Sequence, residues 1–167
     1  SENMARRGVH EIVPGALWIS GVPTPEIIDE FRIDVVISVC KKIIPDAVKC
    51  KLRAWFHHPI PDGLEVHDRT IILAAALAQE HITAGRRVLI NCLAGRTRSA
   101  TVAAVVLAEM HNLGGDAVLA EIRRIRPHAI ANPQLERWLV AYCRRRRYQK
   151  MIALETRTAL QIMERQS

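Results

Sequence analysis

The chain has 167 residues, 49% of them apolar, and a formal net charge of +7; this length suits one domain with a substantial core, and no stretch approaches the ~18 uncharged apolar residues of a membrane-spanning helix. Ser1 to Arg7 lacks the apolar segment of a secretory signal, and Cys40, Cys50, Cys92 and Cys143 show no Cys-x-x-Cys spacing, which argues against zinc ribbons and dithiol redox motifs. A soluble protein of a reducing cytoplasm is expected, without metal or cofactor.

In chain order, Gly15 to Gly21 reads as an opening strand between turn residues. Thr24-Pro25 is an N-cap followed by proline at the first helical position, predicting a helix to about Phe31. Ile33 to Cys40 is β-branched and nearly continuous, as a parallel strand covered on both faces would be. Lys41 to Arg53, with Pro45, predicts an irregular segment, and Ala54 to His58 a short strand. Pro59-Ile60-Pro61-Asp62-Gly63 excludes regular structure. Helical spacing of Ile71, Ile72, Ala75, Leu77 and Ala78 predicts a helix from about Leu64 to Ala84, stopped by Gly85.

Val88 to Ile90 is a buried strand, and an apolar helix runs from about Ser99 to Met110. A further helix spans Asp116 to about Ile125 before Pro127, and Asn132-Pro133 caps another through Tyr148. This alternation predicts an α/β fold with a mostly parallel sheet of about four to five strands and helices on both faces. Residues 9–148 form the expected domain. Residues 149–167 form a C-terminal segment in which Met151 to Gln166 reads as an amphipathic helix, expected to pack back on the domain, with pairing to a second copy as the alternative.

The chemistry concentrates between the Val88–Ile90 strand and the following helix. Strand, small-residue loop and helix start make an anion site, because the first-turn N–H groups lack intrahelical partners and the positive end of the helix dipole faces the loop. Cys92 and Arg98 bracket this loop. A helix N-terminus and nearby cations favour a thiolate at Cys92. Arg98 offers a planar fork of donors to two phosphate oxygens. Leu93, Ala94, Gly95, Arg96 and Thr97 supply the backbone N–H groups, with Gly95 permitting the curl.

Asn91-Cys92-(Leu-Ala-Gly-Arg-Thr)-Arg98-Ser99 resembles the His-Cys-x(5)-Arg-Ser/Thr signature of cysteine-dependent protein tyrosine and dual-specificity phosphatases. The run through Ala100-Thr101 is similar to the atypical dual-specificity branch, including its phospholipid phosphatases. The likeness covers about residues 14–147 and departs at Asn91, where the family carries histidine; a neutral amide is expected to stabilise the thiolate less. The resemblance implies phosphate monoester hydrolysis through a phosphocysteine, with Ser99 assisting departure of the thiolate. It also implies a general acid on a mobile loop. Asp62, thirty residues before Cys92, is the candidate, and Asp68 the reserve. Asn132-Pro133-Gln134-Leu135 and Trp138 resemble a late family element and are read mainly as a helix cap and core packing.

Other clusters carry less. Adjacent His57 and His58 would face opposite sides of a strand and make poor metal partners, one of them being structural beneath the acid loop. Cys40, Cys50 and Cys143 are read as small apolar residues rather than redox partners of Cys92. Arg86-Arg87, Arg123-Arg124 with Arg126, and Arg144 to Arg147 either steer phosphoproteins, anionic lipid or RNA, or form solvated helix faces. The leading expectation is a metal-independent dual-specificity protein phosphatase. The alternatives are a phospholipid or phosphoinositide phosphatase, an RNA or nucleotide phosphatase, a phospho-binding module weakened by Asn91, and a rhodanese-type sulfurtransferase that would leave Asp62 without a role.

Overall fold

The computed structural model describes residues 8–63 and 65–167; Ser1 to Arg7, the segment without a signal-like run, and Leu64, the expected start of a helix, lie outside the described residues. Strands β1 (His10–Val13), β2 (Leu17–Ser20), β3 (Val35–Ser38), β4 (Ala54–His57) and β5 (Val88–Asn91) form one sheet in the order β1-β2-β5-β3-β4. Only the β1-β2 hairpin is antiparallel; β5 runs parallel to β2 and to β3, and β3 parallel to β4. The central strand β5 therefore delivers Cys92 at the middle of the carboxyl edge of the sheet, where open α/β sheets bind ligands.

Both faces of the sheet are covered, which is why its inner strands read as unbroken apolar runs. Val88 and Ile90 join Leu17, Ile19, Val35 and Ile37 beneath α3 (Asp68–Thr83), α4 (Arg98–His111), α5 (Gly115–Ile125) and α6 (Pro133–Gln166). Leu89 joins Trp18 and Val36 on the other face, closed by Ile27 and Ile28 of α1 (Pro25–Phe31) and Val48 of α2 (Asp46–Lys49). The most enclosed helix is α4, buried at every residue from Ser99 to Ala108. Helices α5 and α6 meet backbone to backbone: a Cβ on Gly115 would stand 2.4 Å from Val140 Cα.

Three features depart from the sequence reading. Strand β1 lies ahead of the expected opening strand; its short run with a histidine and a glutamate carries little pattern, and it becomes a strand by pairing His10 with Ile19 across a turn through Gly15 (φ +69°). Helix α2 interrupts the stretch expected to be irregular, anchored by fully buried Val48. Helix α6 runs unbroken across the boundary expected at residue 148, and residues 151–167 are all exposed, so this segment does not pack back on the domain. No glycine or proline intervenes to stop it, and a carboxylate staples it there. Glu109 on α4 accepts from Tyr142 Oη (3.0 Å) and Arg146 Nε (2.7 Å) and pairs with Lys150 Nζ (3.0 Å). Among the described residues no helix is long and apolar enough to cross a membrane.

Candidate active site

The chain leaves β5 held on both sides, with Val39 N donating to Asn91 O (2.8 Å) and Cys92 N to Ser20 O (3.3 Å). It then curls through Gly95, whose φ of +62° is left-handed. A Cβ there would lie 2.5 Å from Ser20 C and 2.7 Å from Gly21 N, so the loop rests directly on the end of β2. The curl turns Gly95 N–H onto Cys92 Sγ at 3.2 Å, and Ser99 Oγ lies 3.3 Å from the same sulfur. Burial pushes the Cys92 thiol up, but the Ser99 hydroxyl and the N–H groups of Ser99, Arg96 and Gly95 outweigh it, and the net pKa falls below the ordinary thiol value. Cys92 is 3% exposed, whereas Leu93, Ala94 and Arg96 around it are open to solvent.

Helix α4 begins at Arg98, and its N-cap, Thr97, provides no side-chain cap; the first-turn N–H groups face the loop with the positive end of the helix dipole. Arg98 Nη1 donates to Ile60 O at 3.2 Å, tethering the loop that carries Asp62. Asp62 and Arg98 line one cleft together with Thr97 and Asn132. Asp62 is exposed and, among the described residues, accepts from Gly63 N (3.1 Å), as an end-of-loop carboxylate does. Asp68, by contrast, opens α3, accepts from Arg69 N (2.7 Å) and does not line that cleft.

The model of the dual specificity phosphatase catalytic domain matches residues 18–145, most of the chain and all of this constellation. The chain belongs to the dual-specificity phosphatase family. It is a cysteine-dependent phosphatase. No curated protein matches it. Among solved structures it is similar to Tk-PTP in its active form, with 24% identity, a TM-score of 0.71 and coverage of 83% of this chain and 97% of that one. It is also similar to DUSP15, with 21% identity, a TM-score of 0.75 and coverage of 90% and 97%. A third is PTPMT1 in complex with PI(5)P, with 19% identity, a TM-score of 0.71 and coverage of 83% and 96%.

Asn91 of the phosphatase does not reach the sulfur as a local hydrogen-bonding neighbour. It is fully buried on the α1 and α2 side of the sheet, where its Oδ1 accepts from Ser38 Oγ (2.6 Å) and its Nδ2 has no partner among the described residues. Asn132 both caps α6, accepting from Gln134 N (3.0 Å) and Leu135 N (3.2 Å), and lines the cleft, while Gln134 does not. His57 and His58 are structural: their Nε2 atoms lie 2.9 Å from Cys40 O and 3.1 Å from Thr70 O.

The arginine clusters divide. Arg86 reaches His81 Nδ1 (2.7 Å), and Arg87 donates to Phe31 O (2.9 Å) and Gly15 O (3.1 Å) over the Trp18 ring, so this pair belongs to the fold rather than to a steering patch. Arg123 holds Ala129 O and Ile130 O (3.0 Å each) and pairs with Glu136, while Arg124 is exposed on Glu121. Arg126 is the site residue that sequence reasoning missed. Its Nη2 donates to Ala94 O of the loop after Cys92 (3.0 Å) and its Nη1 to His10 Nε2 (2.7 Å). Ile130 N adds a bond to Arg96 O (3.1 Å), so the turn after α5 braces the loop from outside. Burial and then Arg126 lower the His10 pKa, keeping the imidazole neutral to accept. No local signal marks this pair, because His10 lies on the unforeseen strand.

Proposed function

We propose that Cys92 is the nucleophile of a two-step phosphate monoester hydrolysis. The thiolate attacks phosphorus in line, forming the S–P bond as the P–O bond to the leaving group breaks, and Asp62 gives that oxygen its proton. Asp62, now a carboxylate, takes a proton from water; the water attacks phosphorus, the S–P bond breaks and inorganic phosphate leaves. Ser99 Oγ stabilises the departing sulfur, and the N–H groups of residues 93–98 with the Arg98 fork hold the equatorial oxygens. The observation that carries this reading is the sulfur's position, with Gly95 N at 3.2 Å and Ser99 Oγ at 3.3 Å at the base of an uncapped helix start.

The substrate proposed first is a phosphoprotein, with both phosphotyrosine and phosphoserine or phosphothreonine accepted. Exposed Leu93, Ala94 and Arg96 set the loop near the surface, within reach of short as well as aromatic phosphorylated side chains. A phospholipid headgroup is the second reading, supported by exposed Arg96 at the rim and by the fold shared with PTPMT1, a structure solved with PI(5)P. The test is a turnover panel of phosphotyrosine and phosphothreonine peptides, phosphoinositides and 5′-phosphorylated RNA, with Asp62→Ala as control. Release from both peptide classes supports the first reading; release from the lipid alone replaces it with the second.

A further inference from the structure

Helix α6 exchanges its sides along its length. Through its first half the line facing the domain is Leu135, Leu139, Tyr142 and Cys143, all buried, continued by Arg146 and Lys150 on Glu109. At about 100° per residue, the opposite line carries exposed Arg137, Arg144 and Arg145. Beyond residue 147 the same outward line turns apolar, with Tyr148 60%, Met151 48%, Ile152 41%, Ile162 49% and Met163 63% exposed. The inward line meanwhile becomes mixed, with Arg157 and Glu164 on either side of exposed Leu160. A straight helix cannot bring that apolar stripe onto its own domain.

We propose that this outward face of α6 docks on an anionic lipid surface, its apolar half entering the interface and its three arginines meeting headgroup phosphates. Charge selects this occupant. The cations continue the apolar stripe on the same face, opposed there only by Glu155, in a chain of net charge +7. A second copy fits less well: side-by-side pairing of the stripes buries five large apolar side chains on each copy, against the roughly 20 to 30 residues a side of a stable interface. Because the N-cap of α6, Asn132, lines the Asp62–Arg98 cleft, docking would fix the cleft at one end of a lipid-bound rod.

The test is flotation of the full chain with vesicles of phosphatidylcholine, with and without phosphatidylserine. Expected is binding only to the anionic vesicles, weakened by salt. Arg144→Glu with Arg145→Glu, and separately Ile162→Asp with Met163→Asp, should lower it about tenfold or more, while Glu155→Gln strengthens it. Aryl phosphate turnover without lipid should match the parent in all three variants, which shows them folded and separates this test from that of the catalytic reading. Absence of binding to anionic vesicles, equal binding to neutral ones, or indifference to both double variants overturns the proposal. So does a dimer in sedimentation that the Ile162→Asp, Met163→Asp variant dissociates while vesicles are ignored; that outcome assigns the face to a second copy.

Discussion

Ser38 Oγ donates to Asn91 Oδ1 at 2.6 Å, and the same hydroxyl accepts from Trp55 Nε1 at 2.8 Å. This chain of two bonds ties β4 and β3 to the last residue before Cys92. It spends the oxygen of Asn91 on the fold and brings no charge to the sulfur. Asn91→His should therefore release Ser38 from this bond and place an imidazole donor beside the backbone of Cys92, lowering the thiol pKa. Thiolate activity is present above the Cys92 pKa and lost as pH falls through it, so the acidic limb of kcat/KM should move to lower pH; an unmoved limb counts against this account. Ser38→Ala should leave the limb in place and cost roughly 1 to 3 kcal/mol in denaturant unfolding, because buried Asn91 and half-buried Trp55 each lose a partner.

Cys92→Ser and Arg98→Ala should each remove nearly all turnover of an aryl phosphate. Ser99→Ala should slow the second step, so that a phosphorylated enzyme accumulates and is trapped by acid quench. Vanadate should inhibit and chelators should not. Full activity in Cys92→Ser would refute the scheme.

Gly95→Ala should disable the loop even though alanine is small. The residue sits at φ +62° with β2 backbone 2.5 to 2.8 Å from the added methyl, and neither side is a flexible side chain. The left-handed conformation alone costs about 1 to 2 kcal/mol. Loss of turnover together with a lower Tm is expected; a parent-like Tm with parent-like kcat would show that the loop yields more easily than its contacts imply.

Arg126→Gln should weaken vanadate affinity about tenfold or more, since a charged donor is withdrawn from the Ala94 carbonyl. His10 adds a pH signature. Its pKa is lowered by burial and by Arg126, so between that pKa and the ordinary value of 6.5 the unfolded chain binds the proton and the folded chain does not. This contribution to stability is complete above 6.5 and lost as pH falls through the folded pKa. His10→Gln should flatten that part of the stability curve in thermal scans; an unchanged slope assigns it elsewhere.

Glu109 gives a second window. Burial raises its pKa, but the hydrogen bonds of Arg146, Lys150 and Tyr142 bring it to about 2 from 4.5. The staple on α6 is at full strength above about 4.5 and fails as pH drops toward about 2. Glu109→Ala should remove that acid sensitivity and loosen α6 at neutral pH, read as faster amide exchange around residues 142–150.

The sheet's centre was legible because residues 35–37 and 88–90 are apolar on both faces, a pattern few other structures need. The placement of Cys92 and Ser99 side by side, with Arg98 at the helix start, was legible because it depends on spacing within one loop. Arg126 and His10 were not: they meet across 116 positions in sequence, and each alone reads as an ordinary surface residue. The continuity of α6 was hidden for a related reason. The Tyr148–Met151 change from basic to apolar looks like a boundary until Glu109, on another helix, is seen to clamp it.

One donor of the Arg98 fork is already engaged with Ile60, two residues before Asp62. In the proposed reaction the same guanidinium would also hold the phosphate, so the bound anion and the stretch of chain leading to Asp62 would share one arginine.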